Sequence, residues 1–236
     1  MSELDGRVIA IAGAAGGLGP VVARRLVAAG AALALTDVDR DRLDELAAEL
    51  EVPEERLDAR VADLLDESAT RDWADTVRER FSRVDGLLHL VGGWRGGDPL
   101  ASTPLDDYAW LHDLLVRTVQ HASRAFFDPL AASEHGRFVL VSSAQAQSPA
   151  GTNASYAAAK AAAEAWTLAL ADSFAETAAT ANIVVVNAIL TPAMRDANPD
   201  KPYRTFTSAE DIAEAIAFLC SDRGQKMNGK RLQLHP

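Results

Sequence analysis

The stretch VIAIAGAAGGLGPVVARRLVAAG, residues 8–30, decides how this chain folds. It opens with a short, continuously apolar run, which is typical of a strand covered on both faces of a parallel sheet. A glycine-rich turn follows, and then apolar and charged residues alternate with the period of a helix. The stretch therefore predicts a strand, a tight turn and a helix, which is the first half of a βαβ unit.

The same alternation continues along the rest of the chain. The predicted strands are 8–13, 31–37, 56–63, 86–92, 137–143, 182–190 and 230–236. The predicted helices are about 18–30, 39–50, 66–82, 105–133, 153–180 and 208–221. Because no linker, repeat or low-complexity segment interrupts this order, we expect a single α/β domain over residues 1–236, built on a doubly wound parallel sheet.

The composition excludes several classes of protein. A net charge of −11 without a long basic patch argues against nucleic acid or an anionic membrane as a partner. No apolar run reaches the ~18 residues that a membrane span needs, and the acidic start MSELDGR is not a signal peptide, so we expect a cytoplasmic protein. The single cysteine, Cys220, excludes a cysteine-based zinc site, and we predict a buried thiol and no metal.

Three glycines in the opening stretch, Gly13, Gly17 and Gly19, have the spacing G-x-x-x-G-x-G. Such a turn brings backbone N–H groups at a helix N-terminus close to a pyrophosphate, which a side chain would hold away. A tight strand–helix turn also needs glycine, so the loop alone is weak evidence. Asp37 strengthens it, because a carboxylate at the end of the second strand suits the adenosine ribose hydroxyls of a dinucleotide.

The charge of Asp37 favours NAD(H) as the cofactor, because a carboxylate would repel the additional phosphate of NADP(H). Arg40 and Arg42 lie just beyond it and keep NADP(H) open. Asp63 ends the third predicted strand, where it either accepts a hydrogen bond from the adenine amino group or caps the helix that follows.

A catalytic pattern follows in SSAQAQSPAGTNASYAAAK, residues 142–160. Tyr156 and Lys160 are separated by one helical turn and share a face, and Ser143 ends the fifth strand. A phenol with an ordinary pKa of about 10 must exchange a proton near neutral pH. A neighbouring ammonium and a positive nicotinamide ring would lower that pKa, and the serine hydroxyl would hold a carbonyl oxygen where charge develops. A tyrosine and a lysine at this spacing are also common on helix surfaces, but together with Ser143 and the glycine loop the pattern favours a catalytic set.

These motifs resemble those of the short-chain dehydrogenases/reductases, in order and spacing, over essentially the whole chain. The resemblance implies a seven-stranded Rossmann-type sheet, bound NAD(H) or NADP(H), a small carbonyl or alcohol substrate, and a homodimer or homotetramer formed through helices 105–133 and 153–180. It implies catalysis by Ser143, Tyr156 and Lys160. The implied cofactor contacts are Gly13, Gly17, Leu18, Gly19, Asp37, Asp63, Leu64, Gly92, Gly93, Tyr156, Lys160 and Thr191.

Three positions depart from the usual pattern of that family. Residues 89–92 read His-Leu-Val-Gly where most members have Asn-Asn-Ala-Gly. Arg117 aligns with the family's helix asparagine, and there it either lies near Lys160 or turns away toward an acid such as Asp113. The family's Pro-Gly turn after the sixth strand is missing, and the polar stretch 195–206 stands where the family has a substrate lid.

The loop GGWRGG, residues 92–97, resembles the GGW-x-GG loop of quinoid dihydropteridine reductases, an atypical branch of the same superfamily. That branch lacks the double asparagine and prefers NADH. It also has a T-P-M segment, which the residues from Thr191 to Met194 resemble. The resemblance implies that Trp94 and Met194 contact the substrate; the alternative for Trp94 is a core plug under the loop. Dihydropteridine reductases lack the catalytic serine, so Ser143 argues for carbonyl chemistry.

Three functions therefore remain open at the level of the sequence. The leading interpretation is an NAD(P)(H)-dependent oxidoreductase that transfers a hydride to or from a carbonyl or alcohol. The first alternative is reduction of a pterin or quinonoid ring. The second is a protein that binds a dinucleotide without turnover, which the missing asparagines favour and the intact Ser143, Tyr156 and Lys160 oppose.

Overall fold

The computed structural model describes residues 2–235. Met1 and Pro236, the two ends of the predicted domain, lie outside the described residues. Pro236 is also the last residue of the predicted strand 230–236. The strands are β1 (Val8–Ala12), β2 (Ala32–Asp37), β3 (Leu57–Val61), β4 (Gly86–His89), β5 (Arg137–Ser143), β6 (Thr180–Val186), β7 (Ala188–Leu190), β8 (Phe206–Ser208) and β9 (Arg231–Gln233). The helices are α1 (Gly19–Ala28), α2 (Arg40–Glu49), α3 (Glu67–Phe81), α4 (Leu105–His112), α5 (Thr118–Ala125), α6 (Phe127–Ala132), α7 (Ala154–Ser173), α8 (Pro192–Ala197) and α9 (Ala209–Cys220).

Seven strands form one parallel sheet in the order β3-β2-β1-β4-β5-β6-β9. This confirms the predicted doubly wound α/β fold. The chain order reverses between β1 and β4, which pair side by side with Ala12 opposite His89. In open parallel sheets, ligands bind outside the carboxyl ends of the strands at such a reversal, so the topology alone locates the candidate site.

Both faces of the sheet are covered by helices. Alternate strand residues pack on one side against α1, α2 and α9, with Leu26, Leu43 and Ile212 in that core. The intervening strand residues pack on the other side against α3, α5 and α7, where Trp73 and Val119 are buried. Coverage on both faces explains why the strands read as continuous apolar runs and not as alternating ones.

The predicted strand 182–190 is wrong as a single element. It divides at Asn187, whose side-chain amide donates to the carbonyl of Thr205. The residues after the division form β7, which leaves the main sheet and pairs with β8 in a separate two-stranded sheet. The predicted helix 153–180 is also too long, because α7 ends at Ser173 and β6 begins at Thr180.

The predicted helix 105–133 is interrupted twice. Between α4 and α5, residues Asp113–Arg117 form a turn of π-helix, in which the Thr118 N–H bonds to the Asp113 carbonyl five residues earlier. A second break lies at Phe126, which is fully buried between α5 and α6. π-Helical turns inside helices are common at functional sites, and this one faces the candidate site.

Two further observations bear on the class of protein. No helix within residues 2–235 is long and apolar enough to cross a membrane. In the same part of the chain, no group of three or more His, Cys, Asp or Glu side chains could hold a metal ion. Cys220 is buried at the end of α9, as expected, and burial raises the pKa of its thiol to about 12.

Candidate active site

A cavity of about 600 Å³ lies at the carboxyl ends of the strands. It brings together most of the residues that the sequence singled out: Gly13, Gly17, Leu18, Asp37, Asp63, Leu64, Gly92, Gly93, Trp94, Ser143, Tyr156, Lys160 and Thr191. Gly19 and Met194 do not line it. Thr191 accepts a hydrogen bond from the Met194 N–H and thereby caps α8, which starts beside the cavity.

The glycine loop has the shape that a dinucleotide requires. Gly13 has a φ of +78°, and a Cβ built on it would lie 2.8 Å from the backbone nitrogen of Val91. A Cβ on Gly19 would lie 2.0 Å from the Ala14 carbonyl oxygen, so Gly19 serves the close packing of the turn. Within residues 2–235 no side chain caps the N-terminus of α1. Pro20 has no N–H and the Val22 N–H donates to the Leu18 carbonyl, so the N–H groups of Gly19 and Val21 are available to a pyrophosphate.

Asp37 is fixed at the rim of the cavity. One carboxylate oxygen accepts from the Ala15 N–H at 2.9 Å and the other from the Val38 N–H at 2.8 Å. The bond from Ala15 joins the end of β2 to the glycine loop. Arg40 instead pairs with Asp44 at 3.8 Å, along α2.

Asp63 also lies at the cavity, where it is exposed and accepts from the Leu65 N–H at 2.9 Å. It does not cap α3, because Asp66 accepts from the first N–H groups of that helix. The capping alternative for Asp63 is therefore wrong.

Ser143, Tyr156 and Lys160 meet at the end of β5. Ser143 and Tyr156 both line the cavity, and the Ser143 side chain acts on the Tyr156 hydroxyl. The Lys160 Nζ lies 6.0 Å from the centre of the Tyr156 ring. Lys160 is buried and donates to the Val141 carbonyl at 2.9 Å. The helix α7 thus presents its tyrosine and lysine to the strand that carries the serine, as the spacing predicts.

Burial controls the protonation of this cluster. It raises the pKa of Tyr156, while the Ser143 side chain acts in the opposite direction. The lowered tyrosine pKa expected from the sequence is therefore not found, because loss of solvent outweighs the stabilisation of the phenolate. Burial lowers the pKa of Lys160 to about 8, and the charge of Glu164 opposes that change.

Comparison with known proteins agrees with this geometry. The 7alpha-hydroxysteroid dehydrogenase of Escherichia coli strain K12 is 27% identical over 98% of this chain and 93% of its own. Levodione reductase of Leifsonia aquatica is 28% identical over 94% and 90%. A crystal structure from Brucella melitensis, described as a short-chain dehydrogenase/reductase and glucose/ribitol dehydrogenase, superposes with a TM-score of 0.85, 29% identity, and coverage of 98% and 96%.

A family model described as enoyl-(acyl carrier protein) reductase matches residues 13–234, nearly the whole chain. The chain belongs to the short-chain dehydrogenase/reductase family. It is an oxidoreductase that acts on alcohol or carbonyl groups of a small-molecule substrate, as its relatives in this family do. Short-chain dehydrogenases/reductases use nicotinamide dinucleotides as cofactors, and the glycine cradle and the cavity fit such a group.

The structure locates the departures from the usual family pattern. Arg117 is exposed and pairs with Asp113 at 3.2 Å, so it turns away from Lys160. The π-helical turn places Thr118 at the cavity in its stead. Thr118 could not be predicted from the sequence, because an ordinary helical register does not reveal one extra residue in a turn.

His89 occupies the end of β4, where short-chain dehydrogenases/reductases usually have asparagine. Its Nε2 lies 3.1 Å from the Thr118 hydroxyl, which itself donates to the Leu114 carbonyl at 2.6 Å. Burial, followed by the charge of Lys160, lowers the His89 pKa to about 3. The imidazole is therefore neutral at physiological pH, and it acts as a hydrogen-bonding residue at the strand end.

The loop GGWRGG, residues 92–97, closes one side of the cavity. Trp94 is 57% exposed and lines the cavity, so it is not a core plug. The Gly97 N–H bonds to the Thr152 carbonyl at 2.8 Å, and Arg95 stacks over Trp110 at 4.1 Å from the ring centre. A Cβ on Gly93 would lie 2.7 Å from a Leu114 methyl carbon, so this loop lies directly on the helical segment that follows.

Proposed function

We propose that this chain is a single dinucleotide-binding domain that transfers a hydride between NAD(H) and a carbonyl or alcohol. One observation supports the proposal most strongly: the glycine loop lines the same cavity as Ser143, Tyr156 and Lys160. Asp37 supports NAD(H) as the preferred dinucleotide, with Asp63 and Leu64 at the adenine end and Gly92, Gly93 and Thr191 toward the nicotinamide.

Each catalytic side chain has a distinct role in this proposal. The bound nicotinamide supplies or accepts the hydride. Ser143 holds the substrate oxygen, and Tyr156 donates a proton to that oxygen in reduction and removes it in oxidation. Lys160 contributes positive charge that stabilises the phenolate. Because burial raises the Tyr156 pKa, the phenol is protonated at neutral pH and is ready to donate.

The substrate side of the cavity favours a flat, largely apolar ring. Trp94 presents an exposed aromatic face there, and Leu114 and Ile189 also line the cavity. The same face supports a second candidate, reduction of a pterin or quinonoid ring, which needs no hydroxyl to hold a carbonyl oxygen. Met194 lies on α8 next to Thr191 and is the remaining substrate contact that we propose.

The substitution Ser143→Ala distinguishes the two candidates. If the substrate is a carbonyl compound, we expect kcat/KM with NADH and ketones to fall about a hundredfold, because one oxyanion donor is lost. Reduction of quinonoid dihydropterin by the same variant would stay within about twofold of wild type. Steady-state NADH oxidation with both substrate panels measures this. Turnover of the pterin alone by wild type would contradict the carbonyl assignment, and NADH binding without turnover of either panel would favour the non-catalytic alternative.

We also propose that two or four copies assemble through the faces of the segments 105–133 and 153–180. A groove of about 390 Å³ between α5–α6 and α7 supports this, since Phe127, Trp166 and Leu170 line it. Ala169 is exposed on its wall, so Ala169→Arg would introduce an unpaired charge into the interface. Sedimentation velocity should give a dimer or tetramer of 25.1 kDa chains, dissociated by this substitution but not by Ala48→Arg on α2. A monomeric wild type would contradict the proposal.

A further inference from the structure

Glu164 is a buried carboxylate that the proposed catalytic set does not include. It lies on α7, one helical turn beyond Lys160, and is only 1% exposed. Its oxygens accept from the Ser142 hydroxyl at 2.7 Å, from the Gln147 amide at 3.3 Å and from the Arg231 guanidinium at 2.6 Å. A buried carboxylate is costly unless it is bonded in this way, so this arrangement is specific.

These bonds continue a series of polar contacts between α7 and the end of β5. Lys160 donates to the Val141 carbonyl, and Glu164 accepts from the Ser142 hydroxyl, while Tyr156 lines the cavity with Ser143. The three helical residues are spaced by four and so lie on one stripe of α7. Val141 and Ser142, near the end of β5, are therefore each hydrogen-bonded to the helix that carries Tyr156.

Glu164 also carries the negative charge that lies four residues after Lys160, on the same stripe of α7. The other groups around Lys160 are Tyr156 on the same helix, the neutral His89 on β4 and the Ser143 hydroxyl on β5. The helical segment 113–118 contributes the Thr118 hydroxyl, while its Arg117 faces outward. On β9, Arg231 reaches the cluster through its bond to Glu164.

We infer that Glu164 is a positioning residue for the proposed reaction: it joins α7 to β5 and β9 and provides the countercharge that keeps Lys160 an ammonium. This rests on the proposed function for its catalytic meaning, but its electrostatic part is independent of turnover. Burial already lowers the Lys160 pKa to about 8, and the Glu164 charge raises it. Without that charge the ammonium would lose its proton at a lower pH, and its effect on Tyr156 would be lost with it.

The chain contains four lysines, Lys160, Lys201, Lys226 and Lys230, so the ammonium can be titrated directly. Lysine labelled with ¹³C at Cε gives one NMR signal for each, and the signal of Lys160 is assigned by its loss in Lys160→Arg. In wild type we expect a midpoint near pH 8. Glu164→Gln, which keeps the size of the side chain but removes its charge, should lower the midpoint by about one pH unit. Glu164→Asp, which keeps the charge, should stay close to wild type.

Arg231→Gln provides the opposite test, at a half-exposed side chain on an edge strand. It removes the cation that offsets Glu164, so the Lys160 midpoint should rise, and this variant answers the question even if Glu164→Gln does not fold. If neither variant moves the midpoint, or if both move it in the same direction, the inference is overturned. These titrations need no substrate, so a wild type without turnover would refute the proposed function and leave them valid.

The kinetic consequence separates positioning from simple structural support. Between the two midpoints, kcat/KM for carbonyl reduction by Glu164→Gln should be about two- to fivefold below wild type, and the difference should approach about tenfold above pH 8, because less of Lys160 is protonated in the variant. Glu164→Asp should recover most of the loss. The KM for NADH should change little. An equal loss at all pH values, in both variants, would show a structural role alone and would contradict the inference.

Discussion

Tyr156→Phe is expected to lower kcat/KM for carbonyl reduction by at least about a thousandfold, because it removes the proposed proton donor and leaves the ring in place. Ser143 lines the same cavity and is unchanged by the substitution, so the proposed holder of the substrate oxygen is kept. The aromatic body of the side chain is kept, and the cavity should retain its shape. The loss should therefore appear in kcat, while the affinity for NADH changes by less than about threefold.

The chain offers a matched control for this substitution. Tyr108→Phe removes the same hydroxyl from α4, at a tyrosine that does not line the cavity, and should leave kcat/KM within about twofold of wild type. NADH oxidation with a ketone panel measures the rate, and titration of NADH fluorescence measures binding. A Tyr156→Phe variant that retains more than a tenth of wild-type kcat/KM would show that another group transfers the proton.

The sequence predicts those parts of the site that depend on local pattern and on the topology of the sheet. Gly13, Gly19 and Asp37 follow from a strand–turn–helix pattern, and the close contacts a Cβ would make at the two glycines show why no other residue fits. Gly13 and Ser143 are far apart in sequence, but each follows or ends a strand, and a parallel sheet places strand ends at one edge. Their convergence could therefore be predicted before any coordinates.

The remaining parts depend on contacts that no local pattern encodes. One additional residue in the π-helical turn rotates Thr118 toward the cavity and leaves Arg117 facing solvent. The network of Glu164 joins residues 142, 147 and 231, which meet only after the sheet has formed. The direction of the Tyr156 pKa likewise depends on how deeply the ring is buried, which the Tyr-x-x-x-Lys spacing does not specify.

Asp37→Asn should reduce the preference for NADH over NADPH by two to three orders of magnitude. With an effective dielectric constant of about 30 and a separation of about 6 Å, a carboxylate and a phosphate repel each other by roughly 3 to 4 kcal/mol, which corresponds to that range. Asparagine has nearly the same size and still offers one oxygen to the Ala15 N–H, so the glycine loop should keep its position. The measured quantity is the ratio of kcat/KM for NADH to that for NADPH.

Asp39→Asn is the matched control, because it removes an equal charge only two residues away. Asp39 caps α2 by accepting from the Arg42 N–H at 3.1 Å, a role that asparagine performs equally well, and it does not line the cavity. Its ratio should stay within about threefold of wild type, since a charge outside the cavity is screened by solvent. A wild type that already prefers NADPH, or an Asp37→Asn variant with an unchanged ratio, would mean that Asp37 serves to hold Ala15 and does not select the dinucleotide.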